Sequence, residues 1–259
     1  MSSVKWLPEW LLSLMALILL SAAVAPWLAG FSVLAAPSRQ TDAALPTAGS
    51  LEENNSISKQ KLIALTFDDG PRRLTTSALL DGLSQRGVSA TFFLIGNQLE
   101  DNEDLIERMD QEGHQIGIHT YDHISLAGLS QKDFSAQVDR TRQILTNILQ
   151  HNGFFLRPPF GFVDEGIRKN AGCPIILWSI DPEDWRDQNT ARVVQYVVSH
   201  AQDGDIILMH DIFPESVDAA LQIIDRLHSQ GFLFVTVEQL FNARHITLKD
   251  GETYDEAHP

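Results

Sequence analysis

Ile63-Ala64-Leu65-Thr66-Phe67-Asp68-Asp69-Gly70-Pro71 is the stretch whose reading decides this chain. Five residues suited to a buried strand run straight into two adjacent carboxylates. Gly70-Pro71 supplies a turn only after both acids, so alternation along the strand sends the two carboxylates to opposite sides. Like charges this close are costly unless a cation stands beside them. Asp-Gly-Pro is also ordinary turn chemistry, and taken alone the pair reads equally well as the opening of a turn that caps a helix. The surrounding chain separates the two readings.

From Lys61 onward, short apolar runs alternate with amphipathic segments. Strands are expected at Leu62–Phe67, Ser89–Leu94, Gln115–Ile118, Phe154–Leu156, Ile175–Ser179, Asp205–Met209 and Phe232–Thr236. Between them, Phe134, Val138, Thr141, Leu145 and Ile148 are spaced four, three, four and three apart, which is one face of a helix with Ser130 or Asp133 as its cap. Gly87, Gly113, Gly172, Gly204 and Gly231 each separate a helical segment from the next strand. Strands alternating with helices imply parallel pairing. Seven such units predict an α/β fold, a distorted, incomplete (β/α)7 barrel, with a doubly wound open sheet as the alternative. The barrel domain is expected over residues 61–245, followed by a loose acidic tail over 246–259.

Upstream, residues 10–38 carry no charged side chain, long enough to span a bilayer. Residues 1–38 are read as a signal peptide or a membrane anchor, and the polar stretch 39–60 as a linker. Both versions place the domain outside the cytoplasm, secreted or held to the membrane. The formal charge of −15 argues against a nucleic-acid partner. Cys173 is the one cysteine, which excludes an intramolecular disulfide framework and a Cys-rich zinc site, and it reads as a small buried residue. Any metal must then be held by histidines and carboxylates.

The reactive residues fall in one place on this scaffold. Asp68 and Asp69 follow the first strand, His119 and His123 the third, Arg157 the fourth, Asp181 and Asp184 the fifth, and His210 and Asp211 the sixth. All are at C-terminal strand ends, where a barrel of parallel strands assembles its active site. His119-Thr120-Tyr121-Asp122-His123 is read as an i, i+4 pair on one side of a helical turn; with one carboxylate it makes a His₂-carboxylate set that leaves positions open on zinc. Two surface histidines four apart by chance is the plainer reading of that pair in isolation.

Five stretches occur in order: Thr66-Phe67-Asp68-Asp69-Gly70, His119-Thr120-Tyr121-Asp122-His123, Arg157-Pro158-Pro159-Phe160-Gly161, Asp181-Pro182-Glu183-Asp184-Trp185 and Leu208-Met209-His210. In these the chain resembles the polysaccharide deacetylases of the NodB-homology type, carbohydrate esterase family 4, over about residues 61–245. The resemblance implies a divalent metal, usually zinc with cobalt or manganese also suited, on Asp69, His119 and His123. It implies Asp68 as general base, held by Arg157, and His210 as general acid, oriented by Asp181. Trp185 and Leu208 are expected to shape a pocket for the acetyl methyl, and the Phe160 backbone N–H to meet the oxyanion. Phe160 stands where many members carry Tyr; Ile124 stands where Pro often follows the second histidine. Asp184 is given no role. The implied activity is removal of acetyl groups from N-acetylated amino sugars, with peptidoglycan first, then chitin oligosaccharide or exopolysaccharide. An O-acetyl ester deacetylase on a xylan-like glycan is the alternative. An inactive glycan-binding module is a reading from another class, and five intact motifs argue against it. The expected partners are the glycan and, through the N-terminal segment, a membrane; the chain is expected to be a monomer.

Overall fold

The computed structural model describes residues 60–259. The segment read as signal or anchor, and the linker apart from Gln60, lie outside the described residues. Among the described residues there are eight strands: β1 Lys61–Asp68, β2 Thr91–Leu94, β3 Gln115–Ile118, β4 Phe155–Leu156, β5 Ile175–Ile176, β6 Ile206–His210, β7 Phe232–Phe234 and β8 Thr253–Tyr254. They form one sheet in the order β6-β1-β2-β3-β4-β5-β8, with β7 paired to β1. Every ladder between them is parallel. From β1 to β5 the spatial order follows the chain without the reversal a doubly wound sheet requires. After β5, Ser179 N donates to the Ile206 carbonyl (3.0 Å) and Ile180 bridges Ile207, so the sheet curls back toward β6. The fold is therefore an incomplete, distorted barrel, as the sequence predicts.

β1 organises it. Leu62 to Phe67 are fully buried, the signature of a parallel strand covered on both faces. Its odd residues, Ile63, Leu65 and Phe67, join the larger core between sheet and helices. Leu62 and Ala64 join the smaller core inside the curl. Thr66 and Asp68 continue that inner line, so strand alternation carries Asp68 to the mouth of the barrel interior.

The amphipathic stretch after Ser130 forms two helices, Gln131–Gln137 and Asp139–Leu149, with Val138 between them at φ −98°, ψ −54°. Ser130 is the cap, its hydroxyl accepting from Asp133 N. The periodic face is real: Phe134, Val138, Thr141 and Leu145 are buried. Cys173 is buried.

The expectation of a loose tail is overturned. Thr253–Tyr254 pairs with β5, Leu177 N donates to the Tyr254 carbonyl (2.7 Å), and Gly251 N to the Cys173 carbonyl (2.9 Å). Ala257 is buried against the start of β6, where its N donates to the Gly204 carbonyl (2.8 Å). Gly204, at φ 101°, is required there: a Cβ would lie 2.4 Å from the Ala257 carbonyl oxygen. The acids that suggested a solvated tail, Asp250, Glu252, Asp255 and Glu256, are among the exposed positions of this segment. The edge of β5 is thereby covered.

His114 makes one property of the fold testable. Burial pushes its imidazole down to about 4, with Glu112 opposing and Arg108 adding to the fall. Its Nδ1 accepts from Ala90 N (3.1 Å), a role only the unprotonated nitrogen fills. The unfolded chain takes up this proton first, near the ordinary histidine value. Stability from this group is therefore full above that value and is lost as pH falls toward 4. Between pH 8 and pH 4.5 the loss amounts to about 2–3 kcal/mol. Unfolding free energies of the native chain and His114→Leu, measured across that range, check it. The variant starts lower and declines by that much less; equal declines would remove His114 from the effect.

Candidate active site

The site is built on strand ends. Asp68 is in register with His210 across the β1–β6 ladder and with Phe93 across β1–β2. Ile118 is in register with Leu156 across β3–β4, so His119 and Arg157 leave the sheet side by side.

Asp69 is the first departure from the sequence reading. Its φ is +73°, so the chain turns at Asp69 itself rather than only at Gly70-Pro71. Both carboxylates consequently face one place: His119 Nε2 is 3.6 Å from Asp68 Oδ2 and 3.5 Å from Asp69 Oδ1. Gly70 permits this turn because the buried Asp211 carboxylate packs against it; a Cβ on residue 70 would lie 2.6 Å from Asp211 Oδ1. Thr76 Oγ1 donates to Asp211 Oδ2 and accepts from Arg72 N (2.8 Å), fixing the chain after the turn. Burial raises the Asp211 carboxyl to about 7, with Asp69 adding and the Thr76 hydroxyl opposing.

His119 and His123 are not on a helical turn. They sit in a loop in which Thr120 and His123 have positive φ, 65° and 54°. That loop is held from outside: Gly96 N and Asn97 N donate to the carbonyls of Thr120 and Tyr121 (2.9 and 3.0 Å). Gln137 completes the clamp, its Oε1 accepting from Tyr121 N and Asp122 N and its Nε2 donating to Asp122 Oδ2. The imidazole rings lie 5.0 Å apart.

Asp69 Oδ1, His119 and His123 offer three ligand atoms within 4.8 Å of one another. Asp69 Oδ1 is buried without a hydrogen-bond partner and lies 3.3 Å from His123 Nε2. His119 Nδ1 contacts the Arg157 carbonyl at 2.7 Å; a carbonyl only accepts, so Nδ1 carries the hydrogen and Nε2 keeps its lone pair. Burial holds the His119 imidazole below its usual range, against Asp68 and Asp69, favouring the neutral form that ligates. An orphaned buried carboxylate oxygen facing two such nitrogens fits a divalent metal.

Arg157 is fully buried. Nη1 donates to Asp68 Oδ1 (2.8 Å) and Thr66 Oγ1 (2.7 Å), Nε to the Ile176 carbonyl (3.1 Å) and Nη2 to the Leu177 carbonyl (2.8 Å). Its guanidinium stacks 4.0 Å over the Phe93 ring. Asp68 is thus fixed through one oxygen, leaving the other toward the cavity.

The partner of His210 is Asp184, which corrects the expectation of Asp181. His210 Nδ1 donates to Asp184 Oδ1 (2.8 Å) and His210 N to Asp184 Oδ2 (2.9 Å), and Asp184 is fully buried. Asp181 Oδ1 instead accepts from Glu183 N (2.8 Å). That side-chain turn, with Glu183 at φ 49°, swings the chain so that the later acid meets the histidine. Burial works against the charged form of His210. The Asp184 hydrogen bond and charge outweigh it, Asp68 and Asp69 add to them, and the group is pushed up to about 9.

These groups open into a cavity of about 480 Å³ with an apolar wall of Phe160, Trp185 and Leu208, joined by Trp178, Ile212 and Phe213, which the sequence reading did not single out. Phe160 turns the chain at φ 64° and its ring meets His123 edge-on at 5.1 Å. Trp178 is the one aromatic of the run predicted as strand over Ile175–Ser179, and Phe213 follows Asp211 by two residues, the available hint to each. A cleft of about 560 Å³ beside Ile246–Leu248 contains none of the motif residues.

Residues 55–172 match the polysaccharide deacetylase family. A peptidoglycan-N-acetylglucosamine deacetylase of Bacillus cereus is 35% identical over 194 residues, 72% of this chain and 91% of that protein. The chain belongs to the polysaccharide deacetylase family. Among polysaccharide deacetylases it is also 41% identical over 181 residues to the peptidoglycan-N-acetylmuramic acid deacetylase PdaC of Bacillus subtilis, 70% of this chain and 39% of that protein. It spans less than half the length of that and several other curated relatives. A family 4 acetyl xylan esterase from Clostridium thermocellum, solved in complex with a cobalt ion, superposes with a TM-score of 0.73 at 29% identity, over 77% of this chain and 100% of that one.

Proposed function

We propose that the chain is a metal-dependent hydrolase that removes acetyl groups from N-acetylated amino sugars of a glycan outside the cytoplasm, peptidoglycan first. The observation that carries this is the register of β1 and β6, which sets Asp68 beside His210. His119, which with Asp69 and His123 makes the donor set, has its Nε2 3.6 Å from Asp68 Oδ2. Two imidazoles and one carboxylate suit zinc, and also cobalt or manganese. A divalent ion bound there supplies Lewis-acid polarisation of the acetyl carbonyl and a lowered pKa for water.

The chain's own groups do the rest. Arg157 fixes Asp68 so that its free oxygen takes the proton from the attacking water. The Phe160 N–H donates to the oxyanion, in a site where such a contact is worth several kcal/mol, on the order of 10²-fold or more in rate. His210, kept protonated by Asp184, gives its Nε2 proton to the departing sugar nitrogen. Trp185 and Leu208 receive the acetyl methyl and exclude water around it. An amine is a poor leaving group without that proton. The strongly basic His210 therefore favours an N-acetyl substrate over the O-acetyl ester of a xylan-like glycan.

Mass spectrometry of peptidoglycan fragments and chitin oligomers after incubation with zinc-loaded protein tests the assignment. Loss of acetyl groups with release of acetate is the expected result. Intact substrates in every case, with the metal bound, would leave a glycan-binding role in its place.

The charge-free stretch at residues 10–38 motivates a second expectation, that the domain is exported and works, as a monomer, as an anchored or secreted protein. Residues 1–60 fused to a reporter active only outside the cytoplasm should give signal. A well-expressed but silent fusion would count against export.

A further inference from the structure

A second group of metal-ligating side chains lies at the start of β6, on the segment that the sequence reading left as a tail. Asp205, Glu256 and His258 offer three ligand atoms within 4.8 Å of one another. His258 Nε2 is 3.0 Å from Glu256 Oε2 and 3.7 Å from Asp205 Oδ1. His258 Nδ1 contacts the Asp203 carbonyl at 2.7 Å. A carbonyl only accepts, so this contact places a hydrogen on Nδ1 and leaves Nε2 facing the two carboxylates; the Asp203 carbonyl and these carboxylates hold the imidazole above its usual range, and a bound ion would take the place of the Nε2 proton. His119 is arranged in the same way in the active site, with Nδ1 on the Arg157 carbonyl at 2.7 Å and Nε2 facing Asp68 and Asp69. Fixing the tautomer from behind is how proteins orient an imidazole toward a metal.

The backbone holds these donors in place independently of any ion. Asp205 and Glu256 face each other across an antiparallel bridge, and Ala257 N donates to the Gly204 carbonyl between them. Asp205 is buried, with Oδ1 accepting from Ser179 Oγ (2.9 Å) and Oδ2 from Gln202 N (2.7 Å), so its carboxylate cannot swing away. Two carboxylates meet one imidazole, which leaves an excess of negative charge.

We propose that Asp205, Glu256 and His258 bind a zinc-type divalent ion that staples the C-terminal segment to the start of β6. The imidazole donor selects zinc, cobalt or nickel over calcium and magnesium, which take oxygen ligands. Three protein donors leave room for solvent on the ion. The ion is remote in sequence from the catalytic donors, and its role is to hold β8 and Ala257 in place.

The test is a metal count on the full chain. Protein passed through a desalting column after incubation with excess zinc should carry two ions per chain. His258→Ala should carry one and keep its deacetylation rate, since His258 is exposed and outside the cavity. Glu256→Gln, also at the surface, is the second variant and should release the same ion. Loading each protein with zinc should raise the melting temperature of the native chain more than that of either variant. Millimolar calcium should not displace the second zinc. One ion in the native chain, two in both variants, or displacement by calcium would each overturn the proposal and leave His258 as an ion-pair partner of Glu256. The active-site reading is tested separately, because His119→Ala should remove the other ion.

Discussion

Asp68→Asn is expected to keep its zinc near full occupancy and lose on the order of 10²–10⁴-fold in rate, the span of a general base. Excess zinc should not restore it. Asp69→Ala is expected to do the opposite, with weakened zinc binding and activity that added zinc partly recovers through the two remaining histidines. The neighbours differ because of what already touches each. One Asp68 oxygen is taken by the Arg157 guanidinium at 2.8 Å. Asp69 Oδ1 has no hydrogen-bond partner and faces both imidazoles, at 3.3 and 3.5 Å. Removing one member of a buried ion pair costs about 3–5 kcal/mol. Asparagine keeps an acceptor for Arg157 and is therefore the variant to use, with its fold checked by circular dichroism. Metal content and deacetylation rate are measured together. If Asp68→Asn loses its metal while Asp69→Ala retains it, base and ligand are reversed.

The second large effect belongs to Asp184. With His210 pushed up to about 9, kcat/KM should be flat through neutral pH and fall as pH rises through that value, because the acid must enter the reaction protonated. Asp184→Asn removes the charge that offsets the burial of His210, so its pKa drops and the alkaline limb moves to lower pH. The amide also presents an N–H to one of two donors, His210 N or Nδ1, and misorients the ring; a rate loss on the order of 10²–10⁴-fold follows from losing a positioned acid. Asp181→Asn should leave the limb in place, since Asp181 accepts from Glu183 N rather than from His210. A limb that moves with Asp181→Asn and stays with Asp184→Asn would restore the assignment read from the sequence.

That reversal shows where the sequence is legible. β1 can be read because a strand covered on both faces must be apolar throughout, and the other strands because turns bound their apolar runs. The site residues can be located because each follows such a strand. What escapes is the backbone between reactive residues. Nothing in Asp181-Pro182-Glu183-Asp184 announces that a side-chain turn presents the later acid. Nothing in Asp68-Asp69-Gly70-Pro71 announces that the chain turns at a non-glycine residue, which brings together two carboxylates that alternation would part. His119 and His123 read as a helical pair because their spacing is helical, yet Gln137 and residues 96–97 hold them in a loop. β8 was hidden by the acids on either side of it, which are exposed while Thr253 and Tyr254 pair with β5 and Gly251 and Ala257 are buried beside it.

Asp69, Thr120, His123, Phe160 and Glu183 all hold left-handed backbone, and all belong to loops that carry or adjoin the motif residues. Each such conformation costs a non-glycine residue roughly 1–3 kcal/mol. For anyone evolving this protein in the laboratory, the catalytic rim is therefore also its reservoir of cheap thermostability. A screen that rewards heat resistance alone will enrich glycine or asparagine at 120, 160 and 183. It will return variants that melt later and have blunted the loops on which turnover depends, so activity has to be selected alongside.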